Sequence, residues 1–315
     1  MRHNSSKAKI RYAVVGLGHI AQVAVLPAFK NASNCELLAL VSGDATKLKT
    51  LGRKHSLEHL YSYKDYGRVL FNVDAVYLAV PNHLHREFAE RAAAAGVHVL
   101  CEKPMAVTEE DCRAMIAASQ QNRVKLMIAY RLHFEAGNLH AIELARSGRL
   151  GDLRIFSSDF CQQVVGNNVR VTGPIEKGGG PVCDMGVYCI NAARYLFRAE
   201  PNEIFATSAG KHEERFQLIH EMVSVTIHFP QEQRATFTCS FGAADVSRYS
   251  LMGAKGTLVA IQPTNMPGAP GTGLSLEEKP KSKRFRNVIN SPPSQFTFPI
   301  ASLRTKIWSR RETRG

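Results

Sequence analysis

The pattern of apolar and polar positions changes character near residue 131. Before it, short apolar runs alternate with stretches of helical spacing, which is typical of βαβ units built around a parallel sheet. These runs do not alternate strictly between apolar and polar side chains, as expected of strands covered on both faces. The predicted strands cover residues 10–15, 36–42, 74–80, 97–102 and 124–130, and the predicted helices cover residues 19–31, 45–55, 64–71, 83–95 and 108–121.

After about residue 150 a strict alternation takes over. Every second residue is apolar from Val223 to Phe229 and again from Ala235 to Phe241, and those between them are Ser, Thr or His. Such strands present one apolar and one polar face, as antiparallel strands on one side of a core do. One helix is predicted over 184–197. We therefore predict an α/β Rossmann domain with a doubly wound parallel sheet over 1–131, followed by an α+β domain with an open, mostly antiparallel sheet over 132–262.

Composition narrows the class of protein. The 315 residues, of which 44% are hydrophobic, suffice for two domains with apolar cores. No apolar run approaches the roughly 18 residues that a membrane-spanning helix needs, so no membrane partner is predicted. The first nine residues are polar and basic, unlike a secretory signal. The seven cysteines are scattered and never spaced C-x-x-C, which is typical of reduced thiols and favours a cytoplasmic location.

The formal net charge of +13 is unevenly distributed. From Lys279 onward, ten Lys and Arg residues stand against the single acid Glu312, so this stretch supplies +9 of the total. A nucleic-acid-binding domain spreads its basic side chains over a folded face, so we predict no nucleic-acid partner. We predict instead that residues 263–315 form an aberrant basic tail, either disordered or frame-shifted.

The first predicted strand ends in the segment Gly16-Leu17-Gly18-His19-Ile20-Ala21, which fits the pattern G-x-G-x-x-(G/A). The first glycine of this pattern permits a tight turn, and the second lets the backbone approach a pyrophosphate. The free N–H groups at the start of the following helix favour an anion. Glycines also end strands for purely steric reasons, but a position between the first strand and the first helix of a βαβ series favours a dinucleotide site.

The second predicted strand ends near the expected position of the adenosine ribose. An NAD site usually has an acid there, whereas an NADP site has neutral and cationic groups. This chain has Ser42 and Gly43, with Lys47 one turn farther on. Asp44 follows two positions late, where it is suited to cap the next helix. We therefore predict NADP as the cofactor, with NAD as a possible alternative.

Two further loops follow predicted parallel strands. Ligands of open α/β sheets lie at the carboxyl ends of the strands, so the loop Pro81-Asn82-His83-Leu84-His85 is expected to line the cofactor crevice. No third metal ligand stands at a recognisable spacing from its two histidines, so no metal site is predicted. Glu102 and Lys103 follow the next strand, either as a functional pair at the crevice or as an ordinary solvated strand end.

In the second half, a glycine run precedes Asp184 and Tyr188. Their spacing of four residues puts a carboxylate and a phenol on one helix face. Oxidation of a carbinol removes a proton from oxygen, and a tyrosine beside a cationic lysine can accept that proton. The alternative is structural, with the aspartate favoured by the helix dipole and the tyrosine simply buried.

Together these motifs resemble the glucose–fructose oxidoreductase / inositol dehydrogenase / MocA (Gfo/Idh/MocA) family, from about residue 8 to about residue 260. The matching segments are VVGLGHIA, VSG, PNHLH, CEKPMA, AYRLHF and GGGPVCDMGVYCINAARYL. The last motif usually carries His in the family, and Tyr188 makes the chain most similar to the glucose–fructose oxidoreductase branch.

The resemblance implies roles for individual residues. Lys103 would lie between nicotinamide and substrate, Tyr188 would be the acid/base group, and Asp184 would orient the sugar. The residues expected at the cofactor are Gly16, Leu17, Gly18, His19, Ile20, Ser42, Gly43, Lys47, Tyr66, Pro81, Asn82, His85, Glu102, Lys103 and Arg131. The family likeness further implies a homodimer or homotetramer paired through the open sheet.

The function predicted from the sequence is hydride transfer between NADP and a sugar or polyol carbinol. An inositol or 1,5-anhydrofructose-type dehydrogenase, and a non-catalytic NADP(H)-binding protein, remain open alternatives. We also hypothesise that residues from about 287 onward are a frame-shifted translation. Asn287 to Glu312 can be back-translated so that a neighbouring frame reads CDQFAAESIYFSDCILADEDLE, which resembles a C-terminal helix of the family.

Overall fold

The structure is a computed structural model that describes residues 8–165, 168–210 and 213–261, together with the backbone of two short strands farther along. The chain divides into two compact units, and the boundary lies between Arg131 and Leu132.

The first unit alternates strands and helices. Its strands are β1 (Ile10–Val15), β2 (Cys35–Val41), β3 (His59–Tyr61), β4 (Ala75–Leu78), β5 (His98–Cys101) and β6 (Leu126–Ile128). Its helices are α1 (residues 21–31, made of a π turn Ala21–Val25, an α turn Leu26–Ala28 and a 3-10 turn Phe29–Asn31), α2 (Ala45–His55), α3 (Tyr66–Leu70), α4 (His85–Ala94) and α5 (Glu109–Gln121). Short 3-10 turns cover Tyr63–Asp65 and Asn82–Leu84.

The sheet of this unit has the order β3-β2-β1-β4-β5-β6, and each neighbouring pair of strands is parallel. This is the strand order of a dinucleotide-binding Rossmann fold, and its switch point lies between β1 and β4. One apolar cluster packs on each face of the sheet. Both faces of the sheet are therefore covered, as the continuous apolar runs of the predicted strands indicated. Strand β3 of this sheet was not predicted from the sequence.

Capping side chains set the starts of two helices. The side chain of Asp44 accepts a hydrogen bond from the N–H of Lys47 at 3.0 Å, and α2 begins at the next residue. Thr108 accepts one from the N–H of Asp111 at 3.1 Å, which fixes the start of α5. Each cap satisfies a backbone donor that the helix itself cannot pair.

The second unit surrounds a larger sheet. Its strands are β7 (Leu153–Cys161), β8 (Glu203–Ala209), β9 (Met222–Phe229), β10 (Gln233–Ser240), β11 (Val246–Gly253) and β12 (Gly256–Ile261). Its helices are α6 (Ala136–Arg146), α7 (Val169–Thr172) and α8 (Val187–Phe197), the last preceded by a π turn over Val182–Gly186. Short 3-10 turns cover Arg131–Phe134, Ile175–Lys177, Glu214–Phe216 and Pro230–Glu232.

This sheet is mixed and mostly antiparallel, as predicted for the fold class. The one parallel pair in the described part of the sheet joins β7 to β10, and it arises because α8, β8 and β9 intervene in the chain. One face carries the apolar residues of β9 and β10 and packs against α8. The opposite face is called here the open face. It carries the ion pairs Arg248–Asp159 and His228–Glu203 and, between them, small hydroxyl side chains: Ser157, Ser224, Thr226, Thr236, Thr238 and Ser250.

Two further strands extend the sheet beyond the predicted domain boundary at 262. Strand β13 (Gly273–Glu278) pairs antiparallel with β12, and β14 (Ile289–Asn290) pairs with β13. These two segments of the predicted disordered tail therefore belong to the sheet. The rest of 263–315 lies outside the described residues, and the frame-shift hypothesis stays a prediction. Within the part of the chain that can be described, no helix has both the length and the apolarity to cross a membrane.

Candidate active site

The loop after β1 has the geometry of a phosphate cradle. Gly16 has a φ of +93°, and a Cβ built on it would lie 2.5 Å from the carbonyl oxygen of Ala79, so only glycine fits there. Gly18 is exposed, and a Cβ built on it would meet no atom within 4 Å. Leu17 is buried, whereas His19 and Ile20 retain exposed surface. The loop is therefore constrained at Gly16 and open at Gly18, and this arrangement before α1 suits the pyrophosphate of a dinucleotide.

The end of β2 is organised by Asp44. Its carboxylate caps α2 and lies 3.4 Å from the Nζ of Lys47, and the hydrogen bond from the Lys47 backbone lowers the pKa of Asp44. Ser42 is buried, and its Oγ accepts a hydrogen bond from the N–H of Asp44 at 3.1 Å. Asp44 therefore caps the helix, as the sequence suggested, and the Ser42 hydroxyl supports the turn that leads into it.

Tyr66 is buried in the core of the first unit. Its side chain has no exposed surface, its hydroxyl donates to the carbonyl of Phe88 at 3.0 Å, and the Arg91 guanidinium lies 4.9 Å from its ring centroid. Burial raises the pKa of Tyr66. The side chain therefore offers a ligand no surface, and the predicted contact of Tyr66 with the cofactor stays a prediction.

Tyr63, three residues earlier, lies beside Gly43 at the end of β2. It is partly exposed, and its ring carbon Cε2 lies 3.2 Å from where a Cβ of Gly43 would be. Sequence reasoning missed it because Tyr63 precedes α3 in a 3-10 turn, whereas Tyr66 begins the helix and faces the core with Val69. The sequence pattern that could have identified Tyr66 as a core residue is its spacing of three and four residues from Val69 and Leu70, which are also buried.

The loop after β4 combines exposed and buried residues. Pro81 is exposed and Asn82 is buried. His85 has no exposed surface, and its ring nitrogens lie 2.9 Å from the carbonyl oxygen of Pro104 and 3.1 Å from that of Val80. The His85 side chain therefore joins the loops that follow β4 and β5, and its predicted contact with the cofactor stays a prediction.

The loop after β5 carries Glu102 and Lys103. Glu102 is 4% exposed, and its carboxylate accepts hydrogen bonds from the hydroxyl of Tyr77 and from the backbone N–H of Lys103. Lys103 is partly exposed and is joined to Pro104 by a cis peptide bond. Glu102 thus supports the loop from within, and its predicted contact with the cofactor stays a prediction.

Five predicted loops of the first unit lie at one edge of its sheet. Gly16, Ser42, Pro81, Lys103 and Arg131 each follow the carboxyl end of a parallel strand. This edge is where open α/β sheets bind their ligands. The residues that the sequence assigned to the cofactor are therefore gathered there, apart from the buried side chains of Tyr66 and His85.

The second unit presents Asp184 and Tyr188 at the start of α8. Asp184 lies in the π turn and Tyr188 in the first turn of the α-helix, and both are partly exposed. A Cβ on the intervening Gly186 would lie 3.3 Å from a ring atom of Phe237, so glycine lets the helix approach the sheet closely. π turns occur frequently at functional sites because they redirect side chains.

A cavity of about 40 Å³ adjoins Tyr188 within the second unit. The side chains that give it its chemical character are His133, Phe160, Tyr188, Asn191 and Tyr195. The rings of Phe160 and Tyr188 lie 6.0 Å apart at 40°. The wall beside the phenol therefore combines aromatic surface with amide and imidazole groups, which suits a ligand that has both C–H faces and hydroxyls.

Comparisons with known proteins agree with this geometry. A family model described as "Oxidoreductase family, NAD-binding Rossmann fold" matches residues 10–130, and the "GFO/IDH/MocA C-terminal domain" matches residues 138–259. The NADP⁺-specific D-xylose 1-dehydrogenase of Haloarcula marismortui is 30% identical over 266 residues, which cover 82% of this chain and 73% of the relative. The trans-1,2-dihydrobenzene-1,2-diol dehydrogenase of Macaca fuscata fuscata is 27% identical and covers 81% of this chain and 75% of the relative.

A solved structure shows the same architecture over nearly the whole chain. The aldose–aldose oxidoreductase of Caulobacter crescentus, in complex with glycerol, is 36% identical with a TM-score of 0.82, covering 93% of this chain and 87% of the other. The two matched family domains and the Rossmann strand order lead to one conclusion. This chain belongs to the Gfo/Idh/MocA family of NAD(P)-binding oxidoreductases.

Proposed function

We propose that this protein is an NADP-dependent dehydrogenase that oxidises a hydroxyl-bearing carbon of a sugar, with aldoses as its principal substrates. The observation that carries the proposal is the partly exposed phenol of Tyr188, four residues after a carboxylate and beside a cavity with aromatic and polar walls. The names of two relatives, a D-xylose 1-dehydrogenase and an aldose–aldose oxidoreductase, support the choice of an aldose.

Nicotinamide, when bound, supplies or accepts the hydride in this chemistry. Tyr188 takes the proton from the substrate hydroxyl during oxidation and returns it during reduction. An unperturbed phenol titrates near pH 10, so it needs a nearby positive charge to act as a base at neutral pH. We assign that role to the ammonium group of Lys103, and we assign to the Asp184 carboxylate the orientation of the sugar hydroxyls.

The choice of NADP rests on the end of β2. The residue directly after β2 is Ser42 and not the acid that accepts hydrogen bonds from a ribose 2′-hydroxyl, and Asp44, two positions later, caps α2. Ser42 has a hydroxyl to offer and Lys47 a cationic side chain, both of which favour a 2′-phosphate. Tyr63 adds a flat surface against Gly43.

A substrate panel tests the proposed function directly. Purified protein is assayed with aldoses, ketoses, inositols and 1,5-anhydrofructose, with NAD and NADP in separate reactions, by following the absorbance of reduced nicotinamide. We expect the highest kcat/KM with an aldose and NADP. A higher kcat/KM with an inositol or with 1,5-anhydrofructose would contradict the assignment of aldoses as the substrates. Tight NADP binding without turnover of any substrate would indicate a cofactor-binding protein and not an enzyme.

The first testable prediction concerns the cofactor. Ser42→Asp places a carboxylate where the 2′-phosphate is expected, so it should raise the KM for NADP and shift the preference toward NAD. Ser42→Ala is the matched control, because it removes the hydroxyl without adding charge, and it should raise the KM for NADP only modestly. If wild-type protein already prefers NAD, or if Ser42→Asp leaves the ratio of the two kcat/KM values unchanged, the assignment of Ser42 fails.

We also propose that the protein assembles through the open face. This face carries the hydroxyl side chains named above and three large apolar side chains on the separate strands β7, β8 and β12, namely Ile155, Phe205 and Ile261, each of which is exposed. Small, flat side chains and scattered apolar ones suit a surface that packs against a second copy as a homodimer or homotetramer.

The scattered spacing of the seven cysteines supports a cytoplasmic location.

A further inference from the structure

Tyr77 makes an unusual contact for a core residue. It lies in β4, has no exposed surface, and packs within the apolar cluster on one face of the first sheet. Its hydroxyl donates to Oε1 of Glu102 at 2.6 Å. Strands β4 and β5 are parallel with Tyr77 opposite Leu100, and side chains two residues apart share a face. The phenol therefore reaches along the sheet to the residue that precedes Lys103.

The carboxylate of Glu102 is held at both of its oxygens. While Oε1 accepts from Tyr77, Oε2 accepts from the backbone N–H of Lys103 at 3.2 Å. A carboxylate with so little exposed surface is costly to bury unless hydrogen bonds satisfy it. These two donors satisfy it here, and together they fix the peptide from which the Lys103 side chain departs.

We propose that Tyr77 is a positioning residue for Lys103, acting through the Glu102 carboxylate. If the phenol is removed, Oε1 loses its buried donor and the carboxylate must turn to another, which releases the Lys103 N–H from its present direction. The catalytic consequence rests on the proposed function, in which the Lys103 ammonium tunes the proton acceptor. The positioning itself is a property of the first unit and can be measured without substrate.

The experiment compares full-length wild-type protein with Tyr77→Phe, Glu102→Gln and Tyr12→Phe. Tyr12 is the matched control, because it is buried in the same apolar cluster on the neighbouring strand β1 and packs edge-on against Phe29. The lysines are dimethylated with ¹³C-formaldehyde, and the Lys103 signal is assigned by its absence from Lys103→Arg. Its chemical shift is then followed against pH by NMR, and kcat and KM are measured in parallel.

We expect Tyr77→Phe and Glu102→Gln to move the Lys103 signal and its titration midpoint, and Tyr12→Phe to leave both in place. In the active enzyme, Tyr77→Phe should lower kcat by up to about 100-fold, since small misplacements of catalytic groups cost that much, and should shift the pH profile of kcat while the KM for NADP stays within about twofold. A Lys103 signal that is unchanged in Tyr77→Phe, or that moves equally in Tyr12→Phe, overturns the proposal.

Two further outcomes keep the test decisive. If Tyr77→Phe does not fold, Glu102→Gln probes the same link, and an unchanged Lys103 signal in that variant overturns the proposal. If the Lys103 signal moves as expected but no sugar is turned over, the positioning role is supported and the proposed function has failed.

Discussion

The two units of this protein offer their chemistry in different ways. In the first unit both faces of the sheet are covered, so ligands have access only at the strand ends, and the loop after β1 offers mostly backbone. In the second unit one face of the sheet is covered and the other is open, and the candidate groups are side chains on a helix. The first unit is thus suited to hold a cofactor by its main chain, and the second to act on a substrate with titratable groups.

Both units nevertheless use the same local device. Each motif helix begins with a π turn, Ala21–Val25 in the first unit and Val182–Gly186 in the second. The first of these turns carries no charged side chain and follows the open backbone at Gly18, whereas the second carries Asp184. The same widened helix start therefore follows exposed backbone in one unit and carries a charged side chain in the other.

The largest expected effect tests the side-chain chemistry of the second unit. Tyr188→Phe removes the proposed proton acceptor and keeps the ring, so kcat should fall by about 10²–10⁴-fold, the usual contribution of a general acid or base. NADP affinity, measured by fluorescence titration, should barely change, because the cofactor residues belong to the first unit. Lys103→Ala should lower kcat at least as much. A near wild-type kcat for Tyr188→Phe, in an assay whose substrate deuterium isotope effect shows that chemistry limits the rate, would remove Tyr188 from the mechanism.

The next effect tests the backbone chemistry of the first unit, with two glycines that differ in their surroundings. Gly16→Ala puts a methyl group against the Ala79 carbonyl at a positive φ, so we expect a loss of roughly 1–3 kcal/mol in the free energy of unfolding. Gly18→Ala puts it into open space, so stability should hold while NADP affinity falls. Chemical denaturation and NADP titration separate the two results, and equal affinity for NADP in wild type and Gly18→Ala would refute the cradle.

Much of the first unit could be predicted from its sequence because each strand is a local apolar run. The predicted helix over 45–55 coincides with α2, and the strand over 10–15 coincides with β1. Strand β3 was missed because its three residues, His59–Tyr61, are too few and too mixed to give a pattern. Its place at the sheet edge comes from pairing with β2, which is a tertiary contact.

The second unit was harder to predict, for a physical reason. Strands β9 and β10 alternate strictly and were predicted, but β7 contains Ser157, Ser158 and Asp159 in succession and hides its alternation. The polar side chain of Ser158 faces the interior, where its Oγ donates to the Arg248 carbonyl at 3.0 Å. Burial of the hydroxyl is satisfied by a partner 90 residues away, which no local pattern can show.

The candidate site shows the same division between local and long-range information. Glycine spacing located the cradle, and the spacing of Asp184 and Tyr188 located the start of α8. The burial of Tyr66 could not be predicted from its own segment, because it depends on the Phe88 carbonyl and the Arg91 guanidinium, which lie far along the chain.

A smaller effect tests the open face, the feature that the first unit lacks. Thr226 and Thr236 are directly paired at the middle of that face, so Thr226→Arg should introduce a charge that a packed second copy cannot solvate. We expect a shift from oligomer toward monomer in size-exclusion chromatography with light scattering. Thr50→Arg, at an exposed position of α2 in the first unit, is the matched control and should leave the mass unchanged. A monomeric wild type, or an unchanged oligomer in Thr226→Arg, would end the assembly proposal.

The smallest effect concerns two histidines, one in each unit, whose pKa values shift in the same direction. Burial lowers the pKa of His133, which packs edge-on against Tyr195, and the charge of Arg146 lowers it further. Burial also lowers the pKa of His55 at the end of α2. Each histidine therefore takes up its proton at a higher pH in the unfolded chain than in the folded one. The free energy of unfolding should thus decrease as the pH falls from 7 through the unfolded value near 6.5, and level off below the folded pKa.

His133→Phe and His55→Gln should each reduce this loss of stability between pH 7 and pH 5, measured by urea denaturation at several pH values. If either variant loses as much stability over that range as wild type, that histidine does not contribute to the pH dependence.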